Sequence, residues 1–205
     1  VNGLHLVTDR ALCRGRSLEA VVLAAVRGGA ASVQLREKDL DTRAFLEEAA
    51  ALKALLAPWK VPLVINDRVD VALAVGAEGV HVGQRDMPCA AVRRLMPGAL
   101  IGLSVETWED VERAQDEPVD YLGVSPVFAT PTKTDTRGAW GLEGLARIRA
   151  YSRHPLVAIG GVNLDTIAAV AGAGAHGAAV VSAICSAGDP EQAARDLLRA
   201  FYSRV

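Results

Sequence analysis

The chain has 205 residues, about half of them apolar (51%), with 22 basic against 24 acidic side chains and a formal net charge of −2. That length is enough to bury a substantial core in one α/β domain, and the balanced charge excludes a global basic field for non-specific nucleic-acid binding, so any anion site is local. Cys13, Cys89 and Cys185 show no C-x-x-C or Cys/His spacing, no apolar run reaches the roughly 18–20 residues of a membrane span, and "VNGLHLVTDR" lacks the features of a signal peptide. A soluble protein of a reducing cytoplasm is expected, without disulfide framework, zinc site, nucleic-acid partner or membrane partner.

In chain order, β-branched runs predict strands at 4–9, 32–37, 62–67, 79–83, 100–105, 121–126, 155–161 and 177–184. Amphipathic segments at 17–28, 42–57, 69–75, 89–96, 107–116, 141–152, 164–172 and 190–203 predict helices, several opening on Ser, Thr, Asp or Pro. Eight strands each followed by a helix close most naturally into a (β/α)8 TIM barrel, here a single domain over 1–205, close to the smallest length of roughly 200 residues for that fold. An open doubly wound sheet is the alternative; it needs fewer strands, and no G-x-G-x-x-G follows the first one.

In such a barrel, chemistry sits at the C-terminal strand ends. After strand 2, "QLREKD" alternates so that Gln34, Arg36 and Lys38 share one side, away from Leu35 and Glu37. The two cations suit a phosphate or pyrophosphate, or else an ion-pair set with Glu37 and Asp39. Asp67 in "INDR" and Asp86 in "GQRDMP" end consecutive strands. Neighbouring strands lie about 5 Å apart, so the two carboxylates can share a Mg2+ ion; alternatively each is a helix N-cap. Gly160 and Gly161, with the N–H groups around Ser182 and Ala183, form either a phosphate cradle after strands 7 and 8 or simply tight turns.

His81 within "GVHVG" is expected as a packed core residue rather than an acid or base, and Cys185 as buried packing rather than a nucleophile. The stretch "VFATPTKTDTRG" at 127–138 places Thr130, Thr132, Thr134 and Thr136 around Lys133. It is either a solvated connector or half of an anion site.

Taken together, "VQLREKD", "VINDRVDVALAVGAEGVHVGQRDMP", "IGLSV", "DYLGVSPVFATPTKTDT", "VAIGGV" and "AVVSAI" resemble the thiamine-phosphate synthase family, in order and at the family's spacing. The resemblance implies a (β/α)8 barrel that couples hydroxymethylpyrimidine pyrophosphate to hydroxyethylthiazole phosphate, releasing pyrophosphate. It implies that Gln34, Arg36, Lys38 and Asn66 meet the pyrimidine substrate and its pyrophosphate, and that Asp67 and Asp86 hold Mg2+. Ser104 and Lys133 would donate to the departing pyrophosphate. Thr130 and Thr132, with backbone at Gly161, Val181 and Ser182, would hold the thiazole phosphate, the loop acting as a lid. Where relatives often carry a histidine after the Ser104 position, this chain has "SVET", with Glu106. A thiazole tautomerase using Glu106 as base, or a non-catalytic barrel binding thiamine phosphate, is therefore the alternative, with self-association into a homo-oligomer left open.

Overall fold

The computed structural model describes residues 1–129 and 138–203. Eight parallel strands pair in sequence order and close, β8 returning to β1: β1 (Gly3–Val7), β2 (Ser32–Leu35), β3 (Leu63–Asn66), β4 (Gly79–Val82), β5 (Leu100–Val105), β6 (Tyr121–Val124), β7 (Leu156–Ile159) and β8 (Gly177–Val180). The helices are α1 (Leu18–Arg27), α2 (Thr42–Leu56), α3 (Val69–Val75), α4 (Cys89–Leu95), α5 (Trp108–Ala114), α6 (Gly141–Tyr151), α7 (Ile167–Gly172), α8 (Ser182–Cys185) and α9 (Pro190–Tyr202). The expected TIM barrel is present, and no helix among the described residues is long and apolar enough to cross a membrane.

Strand alternation divides the core in two. Leu4, Leu6, Val33, Leu35, Leu63, Ile65, Val80, Val82, Ile101 and Leu122 face the helices in the main buried cluster, while Val7, Tyr121, Val157 and Ala179 form a smaller cluster inside the barrel. The outer cluster is uniformly apolar because helices cover it; the inner set is mixed, since polar side chains interrupt it toward the C-terminal end.

The predicted strand at 177–184 is corrected at its end. The chain leaves β8 at Val180 and turns into the four-residue helix α8. A short apolar run has the same appearance as buried strand or buried helix, so periodicity alone does not place that break. The closing helix α9 packs on α1 and β1, and Gly28 makes the approach possible: a Cβ there would lie 2.4 Å from the Glu191 carbonyl oxygen.

Candidate active site

A cavity of about 1020 Å³ runs along the barrel axis and opens at the C-terminal mouth. Gln34, Arg36, Lys38, Asn66, Asp67, Asp86, Ser104, Gly161, Val181 and Ser182 all line it, so the described residues given a role by the resemblance come to one site; Ala183, read with Ser182 as part of the cradle, is not on its wall. Thr130, Thr132 and Lys133, with the lid assigned to their loop, lie outside the described residues.

Although β2 ends at Leu35, its alternation persists beyond the strand. Arg36 and Lys38 point to the cavity, while Glu37 turns away to Arg10 at 3.6 Å. The Arg36 amide donates to the Thr8 hydroxyl at 3.0 Å, which ties the β1 and β2 ends together. Burial, then the neighbouring Glu48 carboxylate, pushes the Glu37 carboxyl above its usual range, with Arg10 opposing.

The two aspartates are not helix caps. The N-cap of α3 is Arg68 and that of α4 is Pro88, neither making a side-chain cap bond. Asp67 instead adopts a left-handed backbone (φ 61°), and its carboxylate pairs with the Lys38 ammonium. Asp86 Oδ2 accepts from the Gly83 amide at 2.7 Å. Partial desolvation raises the Asp86 carboxyl above its usual range, and the adjoining Asp67 carboxylate adds to the shift. Two carboxylates that close, on the wall of a polar cavity, are a hard-oxygen donor set suited to a divalent cation. Among the described residues no third His, Cys, Asp or Glu joins them, so further oxygens would come from water and phosphate.

At the opposite rim, Gly160 (φ 95°) and Gly161 (φ 67°) are more than a permissive turn. A Cβ at the first would lie 2.5 Å from Pro126 Cβ, and at the second 2.7 Å from Phe128 Cβ. The backbone therefore lies against the β6 end, beside the exposed start of α8, where the Ile184 and Cys185 amides bond the Val181 carbonyl and the Ser182 and Ala183 amides are left for a ligand or solvent. Glu106 directly precedes the α5 N-cap Thr107, and it too lines the cavity.

The strand register produces one constellation that the sequence did not disclose. Asn66 is opposite His81, His81 opposite Gly102, and Gly102 opposite Tyr121. The imidazole and phenol meet across Gly102, where a Cβ would be 2.2 Å from Tyr121 Cζ and 2.4 Å from His81 Nδ1. His81 Nδ1 is 2.9 Å from the Tyr121 hydroxyl and Nε2 is 2.8 Å from the Ser104 hydroxyl. His81 is packed, as expected, but also joined to the site through both ring nitrogens. The available signal was a histidine and a tyrosine on inward positions of β4 and β6 with glycine between them on β5.

A parallel barrel whose mouth gathers Arg, Lys, amide and hydroxyl donors beside paired carboxylates belongs to an enzyme acting on phosphorylated small molecules. Residues 4–184 match the thiamine monophosphate synthase family, and the chain belongs to it. The thiamine-phosphate synthase of Albidiferax ferrireducens is 62% identical over 188 residues, spanning 91% of this chain and 86% of that protein. That of Leptospira biflexa is 52% identical over 198 residues, 94% of each chain. The solved thiamine phosphate pyrophosphorylase from Pyrococcus furiosus superposes with a TM-score of 0.90 at 38% identity, covering 97% of this chain and 95% of its own.

Proposed function

We infer that this chain is a C–N bond-forming transferase, joining hydroxymethylpyrimidine pyrophosphate to hydroxyethylthiazole phosphate to give thiamine phosphate and pyrophosphate. The observation that carries this is the convergence of Arg36, Lys38, Ser104 and the Asp67–Asp86 pair on one cavity wall, opposite the Gly160–Gly161 and α8 backbone. Two phosphorylated substrates need two anion sites, and the mouth offers them on opposing sides. Family membership favours this activity over the tautomerase and the non-catalytic barrel.

In this mechanism the bond from the exocyclic methylene to the pyrophosphate oxygen breaks, the electron pair leaving with pyrophosphate. The aminopyrimidine ring delocalises the resulting methylene cation, and the thiazole nitrogen supplies the electron pair of the new C–N bond. Gln34 and Asn66 orient the pyrimidine, Arg36 and Lys38 neutralise the departing anion, and Ser104 donates to it. Lys133, Thr130 and Thr132 belong to the same assignment by resemblance. The Gly161 backbone with Val181 and Ser182 holds the thiazole phosphate so that its nitrogen faces the methylene. Mg2+, held by Asp67 and Asp86, would supply further charge neutralisation for pyrophosphate. No protein nucleophile is required, and buried Cys185, its thiol pushed up to about 12 mainly by burial, has no part. The reducing cytoplasm remains the proposed location.

The metal assignment is tested by pyrophosphate release with and without Mg2+, and again in Asp86→Asn. Chelation is expected to abolish turnover and the variant to lose roughly a hundredfold in rate, since one carboxylate holds the cation poorly. Undiminished turnover in the variant would discard it.

A further inference from the structure

We propose that Tyr121, acting through the tautomer of His81, reserves the Ser104 hydroxyl proton for the ligand in the cavity. This rests on the synthase activity inferred above, with Ser104 facing the departing pyrophosphate.

Each hydroxyl in the row Tyr121, His81, Ser104 has one proton, and a neutral imidazole has one N–H and one bare nitrogen. Two arrangements satisfy both contacts. In the first, the Tyr121 hydroxyl donates to Nδ1, Nε2–H donates to Ser104 Oγ, and the serine proton is left to point into the cavity. In the second, Nδ1–H donates to Tyr121 and Ser104 spends its proton on Nε2. Ser104 then shows a pyrophosphate oxygen only lone pairs, which repel it.

The surroundings of the phenol select the first. Tyr121 is only 6% exposed and packs with Val7, Val157 and Ala179; among the described residues, its hydroxyl has His81 Nδ1 as its one hydrogen-bond partner. Were it to accept from Nδ1–H, its own proton would have no protein acceptor among the described residues. Burial also pushes the phenol's pKa upward, so the donor stays protonated. Strand geometry holds the row in place. Gly102 lies in register between His81 and Tyr121, and a Cβ at Gly123 would come within 2.8 Å of His81 Cε1. Two missing side chains thus make the space that the ring and phenol occupy. Gln84 Nε2 donates to the Ser104 carbonyl at 2.7 Å and fixes that strand end. Tyr121 and His81 are therefore positioning residues for Ser104.

The experiment is 15N NMR of histidine-labelled protein, with the His81 resonances assigned from a His81→Gln variant, alongside kinetics of pyrophosphate release. The resting wild type is expected to carry its His81 proton on Nε2 and none on Nδ1, and Tyr121→Phe to populate both tautomers. In the same variant kcat should fall about tenfold with KM for the thiazole phosphate little changed, less than the roughly 10²–10³ for outright loss of one donor to a developing charge. Tyr121→Phe added to Ser104→Ala should cost nothing further. A proton on Nδ1 in the wild type, or a Tyr121→Phe protein with unaltered tautomer and kcat, would overturn the proposal. The NMR result stands whatever Ser104 acts on, so a wild type that releases no pyrophosphate would refute the synthase activity separately.

Discussion

Gly102 carries more of this site than its side chain suggests. Its backbone is ordinary strand, so its requirement is space: a methyl group would overlap both the Tyr121 ring and His81 Nδ1. Gly102→Ala is expected to destabilise the fold by about 1–3 kcal/mol, the usual cost of overpacking, measured as a lowered urea midpoint. Gly172, where a methyl would meet nothing within 4 Å and the backbone is ordinary helix at the end of α7, is the control; Gly172→Ala should leave the midpoint unchanged or slightly raised. Arg36, Lys38 and the aspartates could be read from alternation and strand-end position, because those depend on local geometry. The roles of Gly102 and Tyr121 depend on register across three strands, which no single segment encodes. Nor could "INDR" tell a cap from a cavity carboxylate, since an aspartate before an apolar run suits both; only the left-handed turn at Asp67 and its pairing with Lys38 separate them.

Among the elements, α5 shows how a cap supports the site. Thr107 Oγ1 accepts from the Asp110 amide at 3.2 Å, and buried Asp110 accepts from the amides of Glu106 and Thr107 at 3.1 and 3.0 Å. This capping box closes the turn directly after β5, its N-cap three residues beyond Ser104. Thr107→Ala should lower stability by about 1 kcal/mol in chemical denaturation, and Asp110→Ala by more, since it strands two amides. Helix and strand order followed from hydrophobic period and cap residues throughout, and β5 begins and ends where expected. Expected ends overran by two residues at β1, β2, β6 and β7, where polar residues, proline or glycine leave the ladder, and by four at β8, where burial continues while the backbone changes state.

For the whole molecule, barrel closure buries a titratable group far from the mouth. His5 Nε2–H donates to the Val1 carbonyl at 2.9 Å and Nδ1 lies 2.7 Å from the Ser32 hydroxyl; burial lowers its pKa from 6.5 to about 4. The unfolded chain thus binds a proton below pH 6.5 that the folded chain refuses until about pH 4. Stability from this group is full at neutral pH and declines as pH falls through that window, by about 3 kcal/mol in total. Urea midpoints between pH 7 and 4.5 should fall less steeply in His5→Gln than in the wild type. Closure also brings residues at the ends of β2, β3, β4 and β5 and those at the ends of β7 and β8 onto the wall of one cavity, the two rims proposed to hold anions. Those rims are proposed to bring two phosphorylated substrates together for one displacement. This is tested most directly by incubating the purified protein with both substrates and Mg2+ and following both products by 31P NMR. Thiamine phosphate and pyrophosphate appearing in equal amounts is the predicted result; no pyrophosphate, or pyrophosphate without thiamine phosphate, would contradict it.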